Sequence, residues 1–345
     1  MQLISFARVR WIGRVSFVLL ALDALAGCSS IEVGLGLRMR LDKVPVTAIS
    51  ATLSPNPGLA PGKSGRLIIT ATTSDAKQLV TVGAGHGNVL FDSFTFTATT
   101  VTVNKKGVVS LVADPRISEG VSPHIQIAVV GHPDVTAELS IPVRYDVAFV
   151  ANFAGKPGFK GLDGLDGREG STGSDGSVDI SNPSAGPSAG GQGGDGTNGE
   201  DGRDGDPGQA GEAVHVWMTL KGGDHPLLQV RAASSKHAQL FLIDPNGGTL
   251  TVDASGGAGG VGGSGGRGGR GGSGGSGFPP GFSGQDGRDG FDGHAGADGA
   301  AGSIVVSIDS QAQPYLNKLQ LINKNGGGAP GPKPEIRIET VAPIW

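Results

Sequence analysis

Nine aspartates, Asp163, Asp166, Asp175, Asp201, Asp204, Asp286, Asp289, Asp292 and Asp298, recur in glycine-led triplets, and they are the chain's densest set of potential ligands. On a helix of three residues per turn, one triplet position forms one row with a repeat of about 9.3 Å. Calcium takes six to eight oxygens at about 2.3–2.6 Å, so a single row is too sparse to bind it and adjacent rows would have to combine. Neither the EF-hand pattern nor the β-roll nonapeptide fits in any register. The expectation is therefore solvated rows paired with Arg168, Arg203, Arg267, Arg270 and Arg288, with no metal and no cofactor. Of these, Asp286, Asp289, Asp292 and Asp298 with Arg288 read as rows open to surface binding.

Other matches to catalytic patterns fail on context. Gly262-Gly263-Ser264-Gly265-Gly266 fits Gly-x-Ser-x-Gly, but it lies in a tract of repeated glycine with no strand-to-helix elbow. Gly58-Leu59-Ala60-Pro61-Gly62-Lys63-Ser64 is one residue short of a phosphate-binding loop, and Gly83–Gly87 misses the dinucleotide spacing. His86, His124 and His132 lack ligand spacing. A net charge of −4, with no basic cluster interleaved with aromatics, argues against a nucleic-acid partner. The chain reads as a non-enzyme.

What must position these side chains is the glycine-rich region. Four segments carry glycine at every third residue: segment one is Gly155–Val178, segment two Gly190–Ala213, segment three Gly256–Gly277 and segment four Gly281–Ile304. An α-helix would carry a glycine in every turn at about 1 kcal/mol each, and a strand would scatter glycine over both faces. Polyproline-II geometry fits the period, but it leaves every backbone group seeking a partner outside its own helix. Two assemblies supply partners: a bundle of polyglycine-II-type helices from one chain, or a collagen triple helix from three. Scarce proline and the short Phe278-Pro279-Pro280 connection favour the bundle, and hence a monomer. Segment three has glycine on two of its three edges, so it is expected in the centre with segment four antiparallel beside it. Segment two is the second inner candidate, and segment one lies toward an edge. Triplets such as Gly202-Arg203-Asp204 keep the trimer open, because they are similar to proline-poor collagen-like segments of bacterial surface proteins.

At the amino end, Arg8, Arg10 and Arg14 precede an apolar run from Val15 to Leu22 that is too short to span a bilayer. Leu25-Ala26-Gly27-Cys28 follows, and Cys28 is the only cysteine in the chain. This sequence resembles the lipobox of bacterial lipoproteins. The resemblance implies a signal peptide over 1–27, acylation of Cys28, membrane attachment through the acyl chains, and, with Ser29 next, outer-membrane localisation in a periplasmic or surface-exposed position. Acyl attachment leaves no cysteine for a disulfide.

After a tether over 28–43, residues 44–153 show short β-type runs separated by turn residues, including Arg66–Thr72, Val108–Val112 and Ile125–Val130. Asn104-Lys105-Lys106-Gly107 reads as a hairpin connection. The pattern predicts a mainly β protein whose first domain is an antiparallel β-sandwich, similar in general pattern to immunoglobulin-like modules of bacterial surfaces. A helix bundle over 154–304 follows, with a β insertion at 214–255, and 305–345 supplies further strands that complete one sheet at the bundle's end. The period-three segments and the lipobox together resemble glycine-rich tips of phage adhesins and bacterial collagen-like lipoproteins. That resemblance implies a lipid-anchored structural or adhesive protein that meets a polysaccharide or another protein. The other readings are a trimeric stalk, an ice- or crystal-surface binder, and an envelope accessory lipoprotein.

Overall fold

The structure is a computed structural model and describes Val33 and residues 37–345, apart from 83–87, 183, 185 and 224. Strands hold 34% of the residues and helices 5%, so the protein is mainly β. Two compact units divide the chain between Val147 and Ala148, with Trp345 grouped with the first.

The first unit contains eight strands: β1 (Val46–Ser54), β2 (Ser64–Thr73), β3 (Gln78–Val80), β4 (Phe94–Thr99), β5 (Val101–Val103), β6 (Val108–Leu111), β7 (His124–Val129) and β8 (His132–Ser140). One sheet runs β1-β2-β6-β5 with β3 also on β2, and the other runs β4-β7-β8; every pairing is antiparallel. Alternation decides which side chains go inside. In β2, Leu67, Ile69 and Ala71 are buried while Arg66 is exposed, and in β7 Ile125, Ile127 and Val129 are buried. These residues share one core with Phe91 and Phe94. Val89–Thr97 reads from sequence as a single run, but Phe91–Ser93 is a 3-10 turn that carries Phe91 into the core before β4 begins. Gly107 closes the β5–β6 connection at φ +74°, and an added Cβ there would collide with the Phe91 ring. The longest pairing, β1 with β2, involves a strand that its mixed, Ser- and Thr-rich composition hides from pattern reading.

The second unit begins with β9 (Ala148–Asn152), a strand that the sequence suggests as an extension of the first domain. It continues through β10 (Val214–Lys221), β11 (Leu227–Ala233), β12 (Ala238–Ile243), β13 (Thr249–Asp253), β14 (Ile304–Ile308), β15 (Leu319–Ile322) and β16 (Glu335–Ile338). Instead of one sheet there are two: β12-β11-β10-β14-β16, and β15-β13-β9. The reason lies in the connections. Segment one leaves β9, segment two enters β10, segment three leaves β13 and segment four enters β14, so each strand inherits the neighbour that its segment has. Gly155 donates to Ser255 and β9 pairs parallel with β13; Gly211 donates to Ala300 and β10 pairs parallel with β14. Val216, Val230, Val252, Val306 and Ile308 of these strands, with Met218, Leu250 and Phe153, are fully or almost fully buried, whereas Val150, Ile336 and Ile338 are exposed.

Between the strands, the four glycine segments lie side by side and bond to one another at every third residue. Segment one donates from Gly155, Gly158 and on to Gly176 into segment three, in parallel. Segment two donates from one row to segment one, antiparallel, and from its glycine row to segment four, in parallel. Segment three donates from Gly257 through Gly275 to segment two, and segment four donates from Gly281 through Gly299 to segment three, both antiparallel. Segments two and three therefore have three neighbours each, and segments one and four have two. The second glycine of each triplet in segment three is buried, and Gly263 shows why. Its N–H donates to Arg203, its carbonyl accepts from Gly293, and a Cβ would strike the Leu162 carbonyl oxygen. One position thus touches all three neighbouring segments, which only glycine permits.

Candidate functional surface on the glycine segments

With glycines turned inward, most non-glycine residues of the triplets remain exposed, and the aspartates are among them. They are already engaged. Asp163, Asp166 and Asp175 of segment one accept the backbone N–H groups of Ser264, Arg267 and Ser276 at 2.7–2.8 Å. Asp195, Asn198, Asp201 and Asp204 of segment two accept from Gln285, Arg288, Phe291 and His294 at 2.6–2.8 Å. Asp286, Asp289, Asp292 and Asp298 of segment four accept from Gly271, Gly268, Gly265 and Gly259 at 2.7–2.9 Å. Each carboxylate or carboxamide supplies a carbonyl-like acceptor where no further segment is present to do so, and backbone groups at a fixed spacing demand a fixed side-chain spacing.

The rows proposed from sequence for surface binding consequently face two different segments. Asp286, Asp289, Asp292 and Asp298 turn to segment three, whereas Arg288 belongs to the row that meets segment two, donating its N–H to Asn198 and accepting from Gly199. Charge pairing is not what orders the rows either: among the described residues, none of Arg168, Arg203, Arg267, Arg270 and Arg288 forms an ion pair with these aspartates. Lys160 does, 2.7 Å from Asp163. The Lys160 ammonium first, and the Ser264 N–H second, hold the Asp163 carboxyl below the ordinary carboxylate value. Among the described residues, no group of three or more His, Cys, Asp or Glu side chains is placed to hold a metal ion.

Sequence reasoning passed over the apolar members of the exposed rows. Phe159, Leu162 and Leu165 recur three residues apart in segment one, and Phe282 and Phe291 stand in the equivalent row of segment four. Phe159 and Phe291 are both 80% exposed. Their axial levels follow from the hydrogen bonds. The Leu162 carbonyl accepts from Arg203 and the Phe291 carbonyl from Gly202, so both flank segment two at one level. Large apolar side chains left exposed in such rows mark an interaction surface more often than a structural need. The signal was present in the sequence as a Phe-Leu-Leu recurrence in phase with glycine.

A concavity of about 380 Å³ lies on the five-stranded sheet beside the carboxy-terminal residues, lined by Trp217, Arg231 and residues 339–344. Arg231 sits 4.9 Å from the centre of the Trp217 ring, and His215 stacks on the same ring at 3.9 Å. His215 is 2.8 Å from Ser307 Oγ, and burial first, then the charge of Arg337, push its pKa down. These contacts consume the aromatic surface rather than offering it.

Leu25, Ala26, Gly27 and Cys28, with the rest of the leader, lie outside the described residues, as does His86. No helix among the described residues is long and apolar enough to cross a membrane. Comparison with models of known protein families and with curated protein sequences gives no match.

Proposed function

We propose that this chain is a lipid-anchored structural or adhesive protein of an outer membrane or cell surface, without enzymatic activity. Acylated Cys28 holds it to the membrane, residues 44–147 form an immunoglobulin-like β-sandwich, and the glycine segments form a polyglycine-II bundle that presents a stiff face to a surface polymer or protein. One observation carries this reading. The four segments bond one another's backbone at every third residue within a single chain and leave the side chains of Phe159, Leu162, Leu165, Phe282 and Phe291 outside. A lattice of backbone bonds at every third residue supplies rigidity without an apolar core, so apolar side chains are free for contact.

The test has two parts. Radiolabelled palmitate should enter the full chain and not the Cys28→Ala variant, and the wild-type chain should sediment with outer membranes. The anchored protein should also retain a glycan or matrix protein on an array. Labelling absent from the wild type, or an array with no retained ligand, would refute the corresponding half.

A further inference from the structure

We infer that the notch between segments one and two is a docking groove for a single extended polypeptide in polyproline-II conformation, with glycine or alanine at every third position. This deepens the adhesive reading and rests on it. Three of the four outer notches carry several acceptor rungs: Asp163, Asp166 and Asp175 between one and three, Asp195, Asn198, Asp201 and Asp204 between two and four, and Asp286, Asp289, Asp292 and Asp298 between three and four. Between one and two there is one such rung, from the Arg168 N–H to Thr197 Oγ1 at 2.7 Å. At the next levels, the Thr197 position is taken by Glu200, Arg203 and Asp206, opposite Leu165, Leu162 and Phe159. Among the described residues, the N–H groups of Phe159, Leu162 and Leu165 have no acceptor. The row facing this notch, Lys156, Phe159, Leu162, Leu165, Ser171 and Ser174, leaves its N–H groups open, and three consecutive members of it carry exposed apolar side chains.

Their repeat selects the occupant. Three residues at about 3.1 Å give about 9.3 Å, which a polyproline-II chain reproduces with its own side chains and carbonyls. Same-face side chains of a β-strand recur at about 6.6 Å, so such a peptide loses phase after one contact. The protein already seats one extended piece of chain in this manner. In the notch between segments three and four, Gly256 donates to Lys324, Gly326 donates to Gly299, and Asn325 Oδ1 accepts from Ala301. Gly326 is required there, because a Cβ would collide with the Gly257 carbonyl oxygen. Small residues on the incoming chain follow from that approach. A second copy is unsuited, since the glycine rows of its segments face one another.

The probe is a fluorescein-labelled (Gly-Pro-Ala)5 peptide, titrated into the full-length protein in detergent and followed by anisotropy. The expected result is saturable binding that weakens at least tenfold in the Phe159→Ser/Leu162→Ser/Leu165→Ser variant. It should weaken equally in Glu200→Thr/Arg203→Thr, which closes the notch as Thr197 does, with a Tm no lower than wild type. Equal binding by the variants, preference for an alternating Val-Thr strand peptide, or no binding at millimolar peptide would overturn the groove. If the peptide fails while matrix proteins or glycans are still retained, the groove is refuted and the adhesive reading stands; if both fail, both are refuted.

Discussion

The N–H of Ser264 donates to Asp163 Oδ1 at 2.8 Å across 101 residues of sequence, and Arg267 repeats the bond to Asp166 at the same separation. The aspartate at the third triplet position is thus a substitute for a neighbouring strand's carbonyl. Where the chain does provide such a carbonyl, at Lys324, no aspartate is used: Gly256 bonds Lys324, and the next rung, Gly259, reverts to Asp298.

Removing one rung should therefore cost little but measurably. Asp289→Ala strands the Gly268 N–H, which water reaches, so the expected loss is at most about 1 kcal/mol. Asp289→Asn keeps the acceptor and should lie nearer wild type. Chemical denaturation distinguishes them; equal losses would show that charge, not the acceptor, matters.

Filling a missing rung should do the reverse. Ala295 stands between Asp292 and Asp298 in the same row, at the level of Gly262. Ala295→Asp is expected to add a few tenths of a kcal/mol up to about 1 kcal/mol, visible as a higher Tm.

Glycines in the lattice should tolerate no side chain. Gly263→Ala places a methyl against the Leu162 carbonyl and displaces a segment from three neighbours, an effect expected to exceed about 4 kcal/mol. Gly222, with nothing within 4 Å of an added Cβ, serves as the control, and Gly222→Ala should leave the melt unchanged. Comparable melts of the two variants would contradict the packing.

Acid should loosen the Lys160–Asp163–Ser264 junction. The folded-state pKa of Asp163 lies below its ordinary 3.8, so its contribution is fully present above that value and is lost as pH falls through the lower folded value. Carbon-detected titration of the Asp163 carboxyl should give a midpoint below 3.8 in wild type, rising toward it in Lys160→Ala. An unchanged midpoint would remove Lys160 as the main cause.

Much of this architecture is written in the glycine spacing. A segment with two glycine edges needs contacts on both, and segment three, with GG in every triplet, is one of the two with three neighbours. The short Phe278-Pro279-Pro280 link leaves room only for reversal, and segments three and four run antiparallel. Other features were illegible for physical reasons. A carboxylate spaced for an ion pair is equally spaced for a backbone N–H, so Asp286 and Arg288 looked like one surface although they face different segments. β9 reads as the end of a preceding β domain because its partner, β13, lies about a hundred residues later. Two sheets rather than one follow from which segments are parallel, and composition does not encode that.

Light scattering on residues 29–345, combined with a thermal melt of the polyproline-type circular dichroism, distinguishes glycine segments that bond within one chain from a triple helix of three. The expected result is the mass of a single chain and one cooperative, concentration-independent transition that Gly263→Ala abolishes. A mass three times larger, with a melt that shifts with concentration, would contradict bonding within one chain and assign the glycine segments to a triple helix.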